Sequence, residues 1–175
     1  MKYITEAEST KLISHSMAYD AVRDAFIAIV QPETRSFSVV QGHGSNPVNT
    51  FGVKASSTES LAGFKVGSLW TGNEDKGLPR HNSLILLFDQ SCGRIGVAIE
   101  AGKVNAYRTA AADAVGTDIL ARKDALILAI FGTGHQARFE CAAIACIRPI
   151  AKVLVVGRDP MKARLMAEEL CSSGL

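Results

Sequence analysis

Gly132-Thr133-Gly134-His135-Gln136-Ala137 is the segment whose residue types and spacing are best suited to chemistry. Its first two glycines let the backbone turn tightly and approach a ligand closely. The small Ala137 lets a following helix pack against the strand before it. Amides at the start of such a helix carry partial positive charge and attract a pyrophosphate. The segment follows a continuous apolar run, residues 125–131, and opens an apolar helical stretch through residue 147. Strand, glycine turn and helix in that order form the entry of a Rossmann dinucleotide site, with Gly132 and Gly134 as cofactor-binding residues. The end of the next strand, about 20 residues on, selects the cofactor. There the chain has Gly157-Arg158-Asp159. Glycine followed by arginine suits the 2′-phosphate of NADP, so Arg158 is assigned to cofactor binding. Asp159 keeps NAD possible.

The elements that position this turn are readable from pattern. Thr5 and Glu8 have capping-box spacing for a first helix ending near Ile13, and Ser16 could cap a second, stopped by Pro32. Residues 36–41, 48–56 and 64–70 mix β-branched or aromatic residues with small polar ones and read as strands. Residues 83–89 and 94–100 flank a turn with Gly93 at a positive-φ position, a hairpin. An alanine-rich helix follows over residues 104–121, then strands at 125–131 and 152–156, each continuous enough to be buried on both faces, and a last helix from Pro160 to about Cys171. The fold class is α/β: an α+β first domain, residues 1–121, then the first half of a doubly wound Rossmann domain, residues 122–175.

Composition narrows the function classes. The chain of 175 residues is 47% hydrophobic and 21% charged, with a formal charge of +2. That charge is too small to point to nucleic acid or an anionic membrane. The apolar runs are too short to span a bilayer and the first residues lack a signal-peptide pattern, so a cytoplasmic protein is expected. Cys92, Cys141, Cys146 and Cys171 show no metal-ligand spacing, and His15, His43 and His81 have no partners at useful spacing. No metal site is expected.

Tyr107-Arg108-Thr109-Ala110-Ala111-Ala112, then Leu120-Ala121-Arg122 and the glycine turn, resemble the ornithine cyclodeaminase/mu-crystallin family. Upstream, Gly63-Phe64-Lys65, Gly72-Asn73 and Gly77-Leu78-Pro79 fit the same pattern in the same order. The resemblance implies a substrate and dimerisation domain followed by a Rossmann domain, assembled as a homodimer. It implies an NAD(P)-dependent oxidoreductase acting on a small amino acid or cyclic imine. Arg35, Lys65 and Arg108 match the family's substrate-carboxylate ligands, and Thr109, His135 and Gln136 fall in its cofactor-contacting motifs. Arginine offers a carboxylate two parallel hydrogen bonds, and fixing that carboxylate orients the carbon that exchanges hydride. The chain departs from the pattern at Arg80-His81, where threonine commonly follows the proline. An extra cation there could bind a second substrate carboxylate, touch the cofactor phosphate, or be solvated.

A parallel sheet must be covered on both faces, and residues 125–175 supply only two strands and two helices. The sequence is therefore expected to be a fragment, a truncated frame or one piece of a split protein, with negligible activity by itself. The family's catalytic aspartate would lie beyond these residues, so no catalytic residue is assigned. The leading reading is a reductase of a cyclic ketimine carboxylate such as 1-pyrroline-2-carboxylate, using NADP. The alternatives are ornithine cyclodeaminase with bound NAD, and a non-catalytic remnant or dimerisation piece.

Overall fold

The computed structural model describes residues 1–175. They form two compact units, one of residues 1–12 and 25–105, the other of residues 13–24 and 106–175. Both are mixtures of helix and strand, the α/β class that the pattern predicts.

The first unit is built on one sheet. Its strands are β1 (Lys2–Ile4), β2 (Arg35–Ser36), β3 (Val40–His43), β4 (Thr50–Ser57), β5 (Ala62–Leu69), β6 (His81–Asp89) and β7 (Arg94–Glu100). The order is β1-β7-β6-β5-β4-β2, with β3 also pairing β4. All pairs are antiparallel except β1 with β7. Gly93 holds φ 70 in the turn between β6 and β7, the conformation a glycine is needed for. The strand expected over residues 36–41 is instead split into β2 and β3. Strand β1 has no alternating pattern of its own and is held by its parallel ladder with β7 and by side chains. Tyr3 Oη donates to Glu100 Oε1 and the Glu6 amide donates to Glu100 Oε2, each at 2.6 Å. These hydrogen bonds pull the Glu100 carboxyl below its usual range.

Helix α1 (Glu6–Leu12) begins with the expected capping box: Thr5 N donates to Glu8 Oε2 at 2.9 Å and Glu8 N to Thr5 Oγ1 at 3.3 Å. Helix α2 (His15–Ala28) is capped two residues earlier than expected, because Ser14 Oγ, rather than Ser16, accepts the Met17 amide. Helix α3 (Gly102–Leu120) starts under the Glu6 carboxylate, which accepts the Gly102 and Lys103 amides at 2.8 and 2.7 Å.

The second unit continues from α3 with β8 (Ile127–Phe131), α4 (His135–Ile147), β9 (Lys152–Val156) and α5 (Pro160–Ser172). Strands β8 and β9 pair in parallel. Two small cores flank α4. Ala110 and Ala114 of α3 pack with Ala143 and Ile144, and Ala137 and Cys141 pack with Met166 and Leu170 of α5. Leu128, Ile130, Val153 and Val155 turn toward these helices. Their alternates do not have a second layer: Ile127 is 62% and Phe131 79% exposed. The strands are therefore covered on one face only, not both as the apolar runs predict, since α4 and α5 lie on the same side of the pair.

Arg148, at the end of α4, is buried and joins three chain segments. Its Nη1 meets Asp118 Oδ1 at 2.5 Å, Nη2 donates to Asp118 O at 2.9 Å, and Nε donates to Arg122 O at 3.3 Å. Tyr19 Oη and Lys123 Nζ complete the shell of Asp118, and these donors hold its carboxyl far below the usual range. Removing the guanidinium leaves a partly buried carboxylate and several carbonyls without their donor. Arg148→Met is expected to lower unfolding free energy by about 3–5 kcal/mol in a urea titration. Arg148→Met with Asp118→Leu should cost less than the two single changes added together. A loss under about 1 kcal/mol for Arg148→Met would contradict this account.

Candidate functional site

Two turns in the second unit lead from a strand into a helix, and they end in opposite ways. At α5 the Asp159 carboxylate accepts the Met161 and Lys162 amides at 3.0 and 3.2 Å, and Pro160 occupies the first helical position. That helix start is closed by its own side chain. At α4 the N-cap is Gly134, extended at φ −80 and ψ 177, with no side chain to take the first amides. A methyl group placed on Gly132 or Gly134 would meet nothing within 4 Å. Gly132 itself has φ 119, which L side chains rarely adopt, and its amide donates to Val156 O at 2.8 Å. The turn thus combines an uncapped helix start with open space over its glycines. A diphosphate fits this cradle: its charge is complementary to the amides, and no Cβ stands in the way.

Arg138, which sequence reasoning missed, braces the cradle from behind. Its Nη1 donates to the carbonyls of Thr133 and Gly134 at 3.0 and 3.1 Å, and its Nε to Glu169 of α5 at 2.7 Å. Occupying the turn's carbonyls leaves its N–H groups as the part offered outward. An arginine one turn into the helix after a glycine motif was the available signal. Across the turn, a methyl group on Gly157 would come within 2.8 Å of Thr133 Cγ2. Gly157 is therefore kept bare by the cradle itself.

The other predicted cofactor residues are placed as follows. His135 is exposed and lies tilted against Phe139, ring centroids 4.9 Å apart, and Phe139 meets Tyr107 edge-on at 5.1 Å. Gln136 is turned inward: Nε2 donates to Ala106 O at 3.1 Å and to Glu140 Oε1 at 2.8 Å. It ties α4 to the segment of α3 that holds Arg108, exposed, and Thr109, half-buried. Arg158 is exposed at the end of β9. Of the predicted carboxylate ligands, Lys65 lies on β5 with its Nζ donating to Asn105 Oδ1 at 2.7 Å. Arg35 lies on β2 and donates to the carbonyls of Pro32 and Thr34. Strand β4 separates it from Lys65, and different groups hold the two cations.

A cavity of about 630 Å³ lies among α3, α4 and β8, with Asp113, Gly116, Leu128, Glu140 and Ile144 in its wall. None of residues 132–137 lines it, so it is separate from the cradle. Burial pushes the Glu140 carboxyl up to about 7. Gln136 opposes that rise, and the Asp113 carboxylate adds to it. Glu140 Oε2 is buried without a partner. Burial likewise raises the Cys141 thiol, which lies in the core. No group of three or more His, Cys, Asp or Glu side chains could hold a metal, and no helix is long and apolar enough to cross a membrane.

Comparison with known proteins adds to this geometry. The family described as "Ornithine cyclodeaminase/mu-crystallin family" matches residues 5–174. The iminosuccinate reductase of Paracoccus denitrificans is 30% identical over 177 residues, covering 100% of this chain and 55% of the relative. The structure of Thermococcus litoralis Delta(1)-pyrroline-2-carboxylate reductase in complex with NADH and L-proline superposes with TM-score 0.90. It is 31% identical, over 99% of this chain and 54% of that one. The crystal structure of the Paracoccus denitrificans iminosuccinate reductase in complex with NAD+ gives TM-score 0.87 at 30% identity, over 98% and 55% of the two chains. The chain spans about half the length of the curated relatives it matches.

The Glu140 environment predicts a pH dependence of stability. Its folded-state pKa, about 7, lies above the ordinary 4.5, so the fold holds a proton there that the unfolded chain has lost. This contribution is fully present below pH 4.5 and is lost as pH rises through about 7. Glu140→Gln keeps a neutral side chain at all pH values. Thermal melts at pH 5 and pH 8 should show the variant gaining stability over the parent at pH 8, and a flatter profile between the two. Equal slopes for variant and parent would contradict the assignment.

Proposed function

We propose, from the premise that this chain belongs to the ornithine cyclodeaminase/mu-crystallin family, that the protein is an NAD(P)H-dependent reductase of imines carrying a carboxylate on the imine carbon. The observation that carries the reading is the uncapped glycine turn at the start of α4, whose amides suit a dinucleotide pyrophosphate. The names of the relatives, 1-pyrroline-2-carboxylate and iminosuccinate reductases, support the reaction class. In this reading residues 1–121 form the substrate and dimerisation domain of a homodimer. Residues 122–175 begin the Rossmann domain.

Gly132 and Gly134 hold the pyrophosphate, Arg138 fixes their peptide planes, and Thr109, His135 and Gln136 line or support the cofactor. Arg158 favours NADP through its 2′-phosphate. The capping of α5 by Asp159 supports this choice, since the Asp159 carboxylate already serves two amides. A bound nicotinamide supplies the hydride. Lys65 and Arg108 orient the substrate through its carboxylate, with Arg35 as a third candidate. No general acid or base is assigned among residues 1–175.

Two assays test the reading. With the full-length protein, oxidation of NADPH should follow addition of 1-pyrroline-2-carboxylate, and Arg108→Leu should lower kcat/KM by about 100-fold, the loss of a charge-assisted bidentate contact. Absence of NADPH or NADH oxidation with any such imine, alongside conversion of ornithine to proline with NAD, would move the assignment to ornithine cyclodeaminase. Arg158→Ser should raise KM for NADPH by about tenfold and change KM for NADH by less than about twofold. Equal effects on both cofactors would remove the 2′-phosphate role.

A further inference from the structure

Lys65, Gly67, His81 and Ser83 share one face of the sheet in the first unit. The register pairs Gly67 with Ser83 and Leu69 with His81 across β5 and β6, and Lys65 lies two residues from Gly67 on the same strand. Residues directly opposite one another, and residues two apart, point to the same side. A methyl group built on Gly67 would sit 3.7 Å from His81 Cε1, 3.7 Å from Ser83 Oγ and 3.8 Å from Lys65 Nζ. Three nitrogen- or oxygen-bearing side chains therefore ring the space that glycine leaves open.

Ser83 is the informative member. It is only 9% exposed, and its hydroxyl has no hydrogen-bond partner. A buried hydroxyl without a partner is destabilising, so its presence calls for a group that satisfies it. Its neighbours define the sign of that group. Lys65 brings an ammonium, which also donates to Asn105 Oδ1. The His81 ring has Nδ1 against Asn82 O at 3.3 Å, so Nε2 is its other hydrogen-bonding atom. An ammonium and an unpaired hydroxyl beside an imidazole together suit a carboxylate. Arg80 next in sequence is directed elsewhere, 3.7 Å from Glu74.

We infer that the Lys65–His81–Ser83 cluster over Gly67 is a subsite for a second carboxylate, so that the protein acts on imines of dicarboxylic amino acids in preference to cyclic monocarboxylic ones. This rests on the imine-reductase reading and specifies its substrate class. A monocarboxylic ring would place CH₂ groups against Ser83 and His81 and leave their donors unmatched. A site built to pair a polar substrate group discriminates strongly against an analogue that lacks it. A second carboxylate pairs both, while Lys65 is shared between the two acid groups.

The test separates this subsite from the reaction. Calorimetric titration of the protein, in the presence of NADP+, with L-aspartate and with L-alanine compares the products of dicarboxylic and monocarboxylic imine reduction without requiring turnover. Aspartate is expected to bind at least about tenfold more tightly than alanine. Ser83→Ala and His81→Leu, each checked by thermal melt for folding, should reduce that ratio about tenfold. In the matching kinetic arm, iminosuccinate formed from oxaloacetate and ammonia should show the higher kcat/KM with NADPH or NADH, and both variants should narrow its lead over 1-pyrroline-2-carboxylate. Equal binding of the two amino acids overturns the inference. So does an equal loss for both amino acids in the folded variants, since the cluster then holds the carboxylate common to all substrates. If aspartate preference persists while no imine is reduced, the subsite stands and the reductase reading falls.

Discussion

The buried guanidinium of Arg148 is the constraint on which the second unit depends. It is the point where the end of α3, the connection into β8 and the end of α4 are held to one another, through the Asp118 carboxylate and the carbonyls of Asp118 and Arg122. A charged group with so little solvent is tolerable only when its donors are matched, so the three segments have little freedom to shift independently. Helix α4 is fixed at its far end by this knot and along its length by alanine and isoleucine contacts with α3. Its near end can therefore remain uncapped without the helix losing its place.

That division of labour explains why the cradle is built from so little. Glycines 132 and 134 contribute no side chains, and the amides that face a ligand belong to the backbone. Precision comes from Arg138, which fastens the turn's carbonyls to α5 through Glu169, and from the close approach of Thr133 to Gly157. On the opposite side Gln136 links the first turn of α4 to Ala106 in α3. The parts that would touch a cofactor are thus held by parts that would not.

Much of this was legible in the sequence, for reasons that differ by element. The capping box of Thr5 and Glu8 is a local signal with its own hydrogen bonds, and the structure contains it as read. The β6–β7 hairpin was marked by Gly93, since its turn needs a positive φ. Strand β1 was not visible, because its three residues pair with β7 and Tyr3 bonds Glu100, nearly a hundred residues away. The break between β2 and β3 has no local mark either. Burial of β8 and β9 was overestimated because an apolar run records what a strand can bury, not how many layers stand beside it. For the site, the glycine motif announced the turn but not its brace. Arg138 acts on backbone carbonyls, and its place one turn into the helix was the one mark that contact left in the sequence. The cluster at Gly67 was hinted at by the unusual Arg80-His81 pair, yet the cation in view there turned to Glu74, and the hydroxyl that gives the cluster its character was unremarked.

The contrast between the starts of α4 and α5 carries a consequence for how such a protein can drift. Asp159 shows what an ordinary side chain does at this kind of turn: it folds over and satisfies the helix. Asn, Asp or Ser at residue 134 could do the same for α4 and would add about 1 kcal/mol of helix stability. The extended backbone there admits any of them, and no neighbour forbids the Cβ. The gain would come at the ligand's expense, since the capping oxygen would compete for the amides a phosphate needs. Stability and binding therefore pull in opposite directions at a single codon. A glycine at residue 134 forgoes that added helix stability and leaves the first amides of α4 open to an anion.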